Sequence, residues 1–298
     1  MNKKFKIAGI GEVLWDVFGE QKAFGGAPAN FACYCNAFGA EAYVISCMGN
    51  DKPGREGLDF LVSHGVNISG IVISEAFETG IVNVALDAEG KPEYEIRKNV
   101  AWDHIPFTKE MEEIAKKMDV VCFGSLSQRN IISKTSIEKF LDVTSPECLR
   151  MFDINIRENY YSDDIILSSL KRANALKIND DELPLLAKLL GISGSDEEKV
   201  NTILKQYNLK LVILTCGAKG ALMVSENELS FEAAPKPQSI ISTVGAGDSF
   251  TAAAIVGYLQ YKKLSEINKH ANAVASYVCT QTGAVPMLLE NLIKRVNK

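Results

Sequence analysis

Phe5-Lys6-Ile7-Ala8-Gly9-Ile10, closed by Gly11, is the stretch on which the fold reading turns. It is short, largely apolar and ended by a glycine, so it reads as a buried strand. A helical stretch at 29–38 and a strand at 42–48 follow it. The same rhythm returns with strands at Val120–Phe123, 150–154, 175–178 and Leu211–Thr215, beside amphipathic stretches such as 108–117 and 195–206. Alternation of this kind predicts the α/β class, with a central, mainly parallel sheet flanked by helices.

Two stretches, about 11–24 and 79–98, leave the rhythm and read as short strands and turns without a crossover helix. Residues 81–87 alternate, 88–92 supply a turn and 93–97 alternate again, which is a hairpin signal. They predict a small β-sheet lid, inserted in a single domain spanning 1–298. No internal repeat and no low-complexity linker divides the chain.

The 298 residues are 47% hydrophobic, enough to bury a large core. A formal net charge of −5 argues against nucleic acid as a partner, because phosphate-backbone binding needs clustered Lys and Arg. Seven cysteines form no Cys-x-x-Cys pair and stand with only three histidines, so reduced thiols in a cytoplasmic protein are expected. No apolar stretch of signal-peptide length precedes Glu12, and no run of about twenty apolar residues predicts a membrane span.

The run Ser242-Thr243-Val244-Gly245-Ala246-Gly247-Asp248 leads into an apolar-rich helical segment at 249–260. Two glycines let the backbone bring N–H groups near a ligand, and a helix N-terminus offers unpaired N–H groups and positive partial charge. That combination suits a phosphoryl group, beside which Asp248 can accept a proton. The same carboxylate would equally serve as a helix N-cap. Phe24-Gly25-Gly26-Ala27-Pro28-Ala29-Asn30 opens the first helix, and Asn30 can both donate to and accept from hydroxyl groups. Asn179 and Glu182 share one helical face, able to hold a hydrated magnesium ion or simply to start a helix.

These motifs, with Thr215-Cys216-Gly217-Ala218-Lys219-Gly220 between them, resemble in order and place those of the ribokinase-like or PfkB sugar kinases. The resemblance covers nearly the whole chain, and Gly25-Gly26-Ala27-Pro28-Ala29-Asn30 is similar to the fructokinase form. It implies ATP-dependent phosphorylation of a small sugar's primary hydroxyl, fructose first, with Asp248 as base and the amides of Gly245, Ala246 and Gly247 as anion hole. Asp16, Gly25, Gly26, Asn30 and Asn155 resemble sugar ligands, joined by Tyr94 and Arg97 on the lid hairpin. Arg157, in Asp153-Ile154-Asn155-Ile156-Arg157, is similar to an arginine that reaches the phosphates. Thr215, Gly217, Gly220 and Asn272 resemble the nucleotide side, while Asn179 and Glu182 resemble residues that position Mg²⁺ through water. Members of this family commonly form homodimers through the lid sheet.

One departure stands out: many members carry Asp where this chain has Ser242, so activation by a monovalent cation does not carry over. An acidic acceptor such as 2-keto-3-deoxygluconate is the alternative substrate, since Arg97 and Arg157 would suit its carboxylate. A sugar-sensing relative without turnover is a non-enzymatic alternative, against which the intact Gly245-Ala246-Gly247-Asp248 speaks. A dinucleotide-dependent oxidoreductase is a distant one: Gly9-Ile10-Gly11 begins like its fingerprint, but the third glycine position is Leu14.

Overall fold

The computed structural model describes residues 4–86 and 92–294. The chain opens with β1 (Lys6–Ile10), β2 (Leu14–Phe18) and β3 (Gln21–Gly25), then α1 (Ala27–Ala37), β4 (Glu41–Gly49), α2 (Lys52–Ser63) and β5 (Ile71–Ser74). Next come β6 (Gly80–Leu86), β7 (Pro92–Ile96), α3 (Lys109–Ala115), β8 (Val120–Phe123), α4 (Ile131–Asp142), β9 (Leu149–Asp153) and α5 (Asp163–Arg172). β10 (Ala175–Asn179), α6 (Glu182–Leu190), α7 (Asp196–Gln206), β11 (Leu211–Thr215), β12 (Ala221–Val224) and β13 (Leu229–Glu232) follow. The chain closes with α8 (Ala246–Leu259), α9 (Leu264–Val278) and α10 (Glu290–Lys294).

Among the described residues, nine strands form the main sheet in the order β13-β12-β11-β10-β9-β8-β1-β4-β5. The strands from β11 across to β5 pair in parallel, and β12 and β13 extend the edge antiparallel. The parallel strands are covered on both faces, which is why their sequences are apolar runs rather than alternations. Val120 and Cys122 of β8 enter one core cluster with α1, α8 and α9, whereas Val121 and Phe123 enter the other, with α3, α4 and α7.

The segments expected at 11–24 and 79–98 come together in a second, four-stranded sheet, β3-β2-β6-β7, among the described residues. β2 pairs antiparallel with β3 and β6 with β7, and the two hairpins join through a parallel pairing of β2 with β6. The expected turn at 88–92 falls, but for Pro92, outside the described residues. Trp102 is buried beneath this sheet with Leu14, Val82 and Ile96. Among the described residues no helix is long and apolar enough to cross a membrane, and the seven cysteines are free thiols.

β1 does not turn directly into a helix: Gly11-Glu12-Val13 leads into β2, and α1 follows only after β3. The first turn of α1 then leans back onto β1. A Cβ on Gly9 would stand 2.0 Å from the carbonyl oxygen of Pro28. Gly9 is therefore a packing requirement, and Gly9→Ala is expected to cost about 1–3 kcal/mol, as overpacked cores do. The measurement is urea denaturation, with a lower midpoint at unchanged slope.

Candidate active site

In open α/β sheets the ligand crevice lies beyond the carboxyl ends of the strands, where strand order reverses. This chain runs from β1 outward to β4 and β5, then returns to β8 on the other side of β1 and continues to β11. The reversal lies between β1 and β8. Around it Glu12 follows β1, Asn155 and Arg157 follow β9, Asn179 ends β10 and Thr215 ends β11. A narrow crevice there is lined by Pro28, Phe31, Gly124, Asp153, Asn155 and Asp248.

α8 begins at Ala246, earlier than the apolar pattern at 249–260 indicates, so Asp248 sits in its first turn and Gly245 is the N-cap. Gly245 has φ 78, which favours glycine, and a Cβ there would meet the carbonyl oxygen of Ala284 at 2.0 Å. First-turn N–H groups have no partner inside the helix and point their partial charge outward. That of Ala246 donates to the carbonyl of Thr243 at 3.3 Å. Asn30 Nδ2 donates to Asp248 Oδ2 at 2.8 Å, so the carboxylate is held from the start of α1. Burial pushes the Asp248 carboxyl above its ordinary range, opposed by Asn30, Lys177 and Arg157. Part of the residue remains open to the crevice.

Behind it lies a buried ion pair, Lys177 Nζ to Asp153 Oδ1 at 3.0 Å. Burial works against the charge on Lys177, but Asp153, Glu182 and Asp248 more than offset it and hold its ammonium above the ordinary range. Asp16, half-buried on β2, is pushed to about 6 by burial, with Arg157 opposing. Gly25 and Gly26 carry the chain from β3 into α1 beside it. Arg157 is exposed, yet its charge acts on Glu12, Asp16, Asp153 and Asp248.

The other expected residues lie further out. Asn179 and Glu182 bond to each other's backbone: Asn179 Oδ1 accepts from the Glu182 N–H at 2.8 Å, and Glu182 Oε2 accepts from the Asn179 N–H at 2.9 Å. This is a capping box at the start of α6. Glu182 Oε1 also accepts from the Ile156 N–H at 2.9 Å, tying the loop that carries Asn155 and Arg157 to β10. With both oxygens so engaged, and no group of three His, Cys, Asp or Glu placed to hold a metal ion among the described residues, this donor set does not fit direct coordination of Mg²⁺. It suits an ion that keeps its waters and is carried by phosphates.

Thr215 ends β11, and Gly217 and Gly220 lie in and just after the 3-10 turn that follows. Asn272 is buried on α9, its amide donating to the Glu232 carbonyl at 3.2 Å and to Asn268 Oδ1 at 2.9 Å, which ties α9 to β13. Arg97, just past β7, stands 4.0 Å from Glu78. Tyr94 lies on β7 opposite Val84, and its side chain is outside the described residues. The hydroxyl of Ser242 accepts from the Val244 N–H at 3.2 Å.

A family model described as "pfkB family carbohydrate kinase" matches residues 6–291. The chain belongs to that family. It is 28% identical to fructokinase-2 of Oryza sativa subsp. japonica, over 95% of this chain and 86% of that protein. An uncharacterised sugar kinase of Pyrococcus horikoshii, solved in complex with ATP, superposes with a TM-score of 0.83 at 26% identity, over 97% of this chain and 99% of that one. A putative ribokinase II of E. coli shares the fold at a TM-score of 0.85 and 22% identity, over 99% of each chain. The architecture is ribokinase-like, and a dinucleotide-dependent oxidoreductase is excluded as a reading of Gly9-Ile10-Gly11.

Three residues in or around this pfkB kinase's crevice were given no role by the sequence reading. Lys177 and Asp153 form its ion pair, and Glu12 is buried beside Asp248. A lysine inside the apolar strand Ala175–Asn179 was the available signal for the first. The capping box yields a separate expectation. In Glu182→Gln one backbone N–H meets an amide NH₂ instead of an oxygen, which should cost about 1–3 kcal/mol. A lowered urea midpoint with retained far-UV circular dichroism would show it.

Proposed function

We propose that this chain transfers the γ-phosphoryl group of ATP to the primary hydroxyl of a neutral sugar, fructose first, with Asp248 as general base. The observation that carries the reading is the Asn30–Asp248 bond of 2.8 Å at the N-terminus of α8, which sets a carboxylate beside an anion site. Kinship with the fructokinase of Oryza sativa supports the substrate, and the ATP complex of the Pyrococcus horikoshii kinase supports the nucleotide.

Asp16, Gly25, Gly26, Asn30 and Asn155 bind the sugar and aim one hydroxyl at the γ-phosphorus. As the new O–P bond forms, Asp248 takes the hydroxyl proton, and the bond from phosphorus to the bridging oxygen of ADP breaks. The amides of Gly245, Ala246 and Gly247 hold the phosphoryl oxygens, and Arg157 offsets their charge. Thr215, Gly217, Gly220 and Asn272 form the nucleotide side. When bound, Mg²⁺ supplies further charge neutralisation on the phosphates, with Asn179 and Glu182 reaching it through water.

The small sheet acts as the lid of a single kinase domain, carrying Tyr94 and Arg97 over the sugar and excluding water that would hydrolyse ATP. Its exposed edge is the surface for a homodimer. The protein works in the cytoplasm with reduced thiols. Ser242 brings no charge, so activation by a monovalent cation is not part of this reading. For an acidic sugar the support is smaller, because Arg97 stands beside Glu78 rather than alone.

Asp248→Asn should fold, still bind ATP and lose at least about a hundredfold in kcat, the usual share of a general base. ADP release with a panel of neutral and acidic sugars measures both turnover and acceptor. Wild-type turnover in the variant would remove Asp248 from its role, and preference for an acidic sugar would overturn the neutral acceptor.

A further inference from the structure

Glu12 is a buried carboxyl that the mechanism above does not use. It is 2% exposed, on the turn between β1 and β2, and its Oε2 has no hydrogen-bond partner. Two more buried oxygens are unpartnered nearby in the fold, Ser127 Oγ and Asn30 Oδ1. Ser127 lies against the residue before Glu12, since a Cβ on Gly11 would stand 2.5 Å from its Oγ. Asn30 is the residue whose other amide atom holds Asp248. A neutral carboxylic acid carries one donor that an ionised carboxylate lacks, and buried acceptors without a donor are costly.

We propose that Glu12 is a positioning residue that works as a protonated carboxylic acid, keeping a second negative charge away from Asp248. The inference rests on Asp248 being the base. Burial pushes the Glu12 carboxyl to about 7, Ser127 opposes the rise, and the charge of Asp248 adds to it. Among the groups facing Asp248, Lys177 on β10 and Asp153 on β9 form an ion pair, in which burial pushes the Asp153 carboxyl up and Lys177 opposes the rise, and burial pushes Tyr34 on α1 and Cys122 on β8 upward, so both stay neutral. Glu12 thus adds charge as pH rises through neutrality, and Asp16, pushed to about 6, does so at lower pH in wild type and Glu12→Gln alike. Its ionisation sets a carboxylate against both Asp248 and the incoming phosphoryl oxygens, and slows transfer.

The experiment is the pH profile of kcat/KM for the sugar, in wild type and Glu12→Gln under identical buffers, so that titration of ATP cancels in the ratio. The ratio of variant to wild type should rise by at least about threefold from pH 6 to pH 8, an effect within reach of one nearby charge in a buried site. A flat ratio overturns the proposal. A second measurement needs no Glu12 variant: the ¹³C chemical shift of the Glu12 carboxyl should titrate near neutrality in wild type and at lower pH in Asp248→Asn. Titration in the ordinary carboxylate range in wild type overturns it as well. If Asp248→Asn keeps full turnover, the base assignment falls and the role of Glu12 with it. If that variant is inactive and the ratio is flat, only Glu12 loses its role.

Discussion

The site depends on one buried ammonium. Lys177 stands on a central strand with Asp153 at 3.0 Å, and the carboxyls of Glu182 and Asp248 are near enough to stabilise its charge. Four acidic side chains converge on the carboxyl ends of β1, β9 and β10 and the start of α8. In so little water they could not all be tolerated unless each were answered. Asp153 is answered by Lys177, Glu182 by two backbone amides, and Asp248 by Asn30. Glu12 is left to be answered by a proton. Gly247, in the first turn of α8, lies close to the same ammonium, since a Cβ there would stand 3.6 Å from Lys177 Nζ, an ordinary contact.

Distant parts of the chain meet at this site. Asn30 and Asp248 are 218 residues apart, on helices that pack against each other on one face of the sheet. The small sheet reaches the same point through its own backbone, since β3 runs straight into α1 by Gly25 and Gly26. A tilt of that sheet moves Asp16 relative to Asn30 and Asp248.

Much of this was legible in the sequence, and the failures have physical causes. Val120–Phe123 and Leu211–Thr215 are read to the residue, because a doubly buried strand is an apolar run with polar ends. The start of α8 is misread by three residues because Gly247 is a poor helix former and gives no apolar signal. The pairing of β2 with β6 is parallel and long-range, so neither hairpin announces it. Asn179 and Glu182 are correctly seen as a pair, yet the spacing that puts two side chains on one helical face is also that of a capping box. That the pair also makes a capping box becomes visible only when the backbone amides have positions. Glu12 and Lys177 look like ordinary charged residues until burial is known.

The glycines of β1 show why local resemblance misleads. Gly9 and Gly11 match the opening of a dinucleotide fingerprint, in which glycines let a helix N-terminus approach a pyrophosphate. Here the chain passes through β2 and β3 before α1 begins, and Gly9 instead makes room for the carbonyl of Pro28. The helix N-terminus at the crevice that carries Asp248 is that of α8, near the other end of the chain, with its own tight glycine at Gly245. The physics is the same in both cases: a glycine lets backbone come close, and unpaired amides meet an anion. What differs is which helix reaches the point where strand order reverses, and strand order is a property of the whole sheet. A short motif therefore carries the chemistry of a site, while its address is written in the topology.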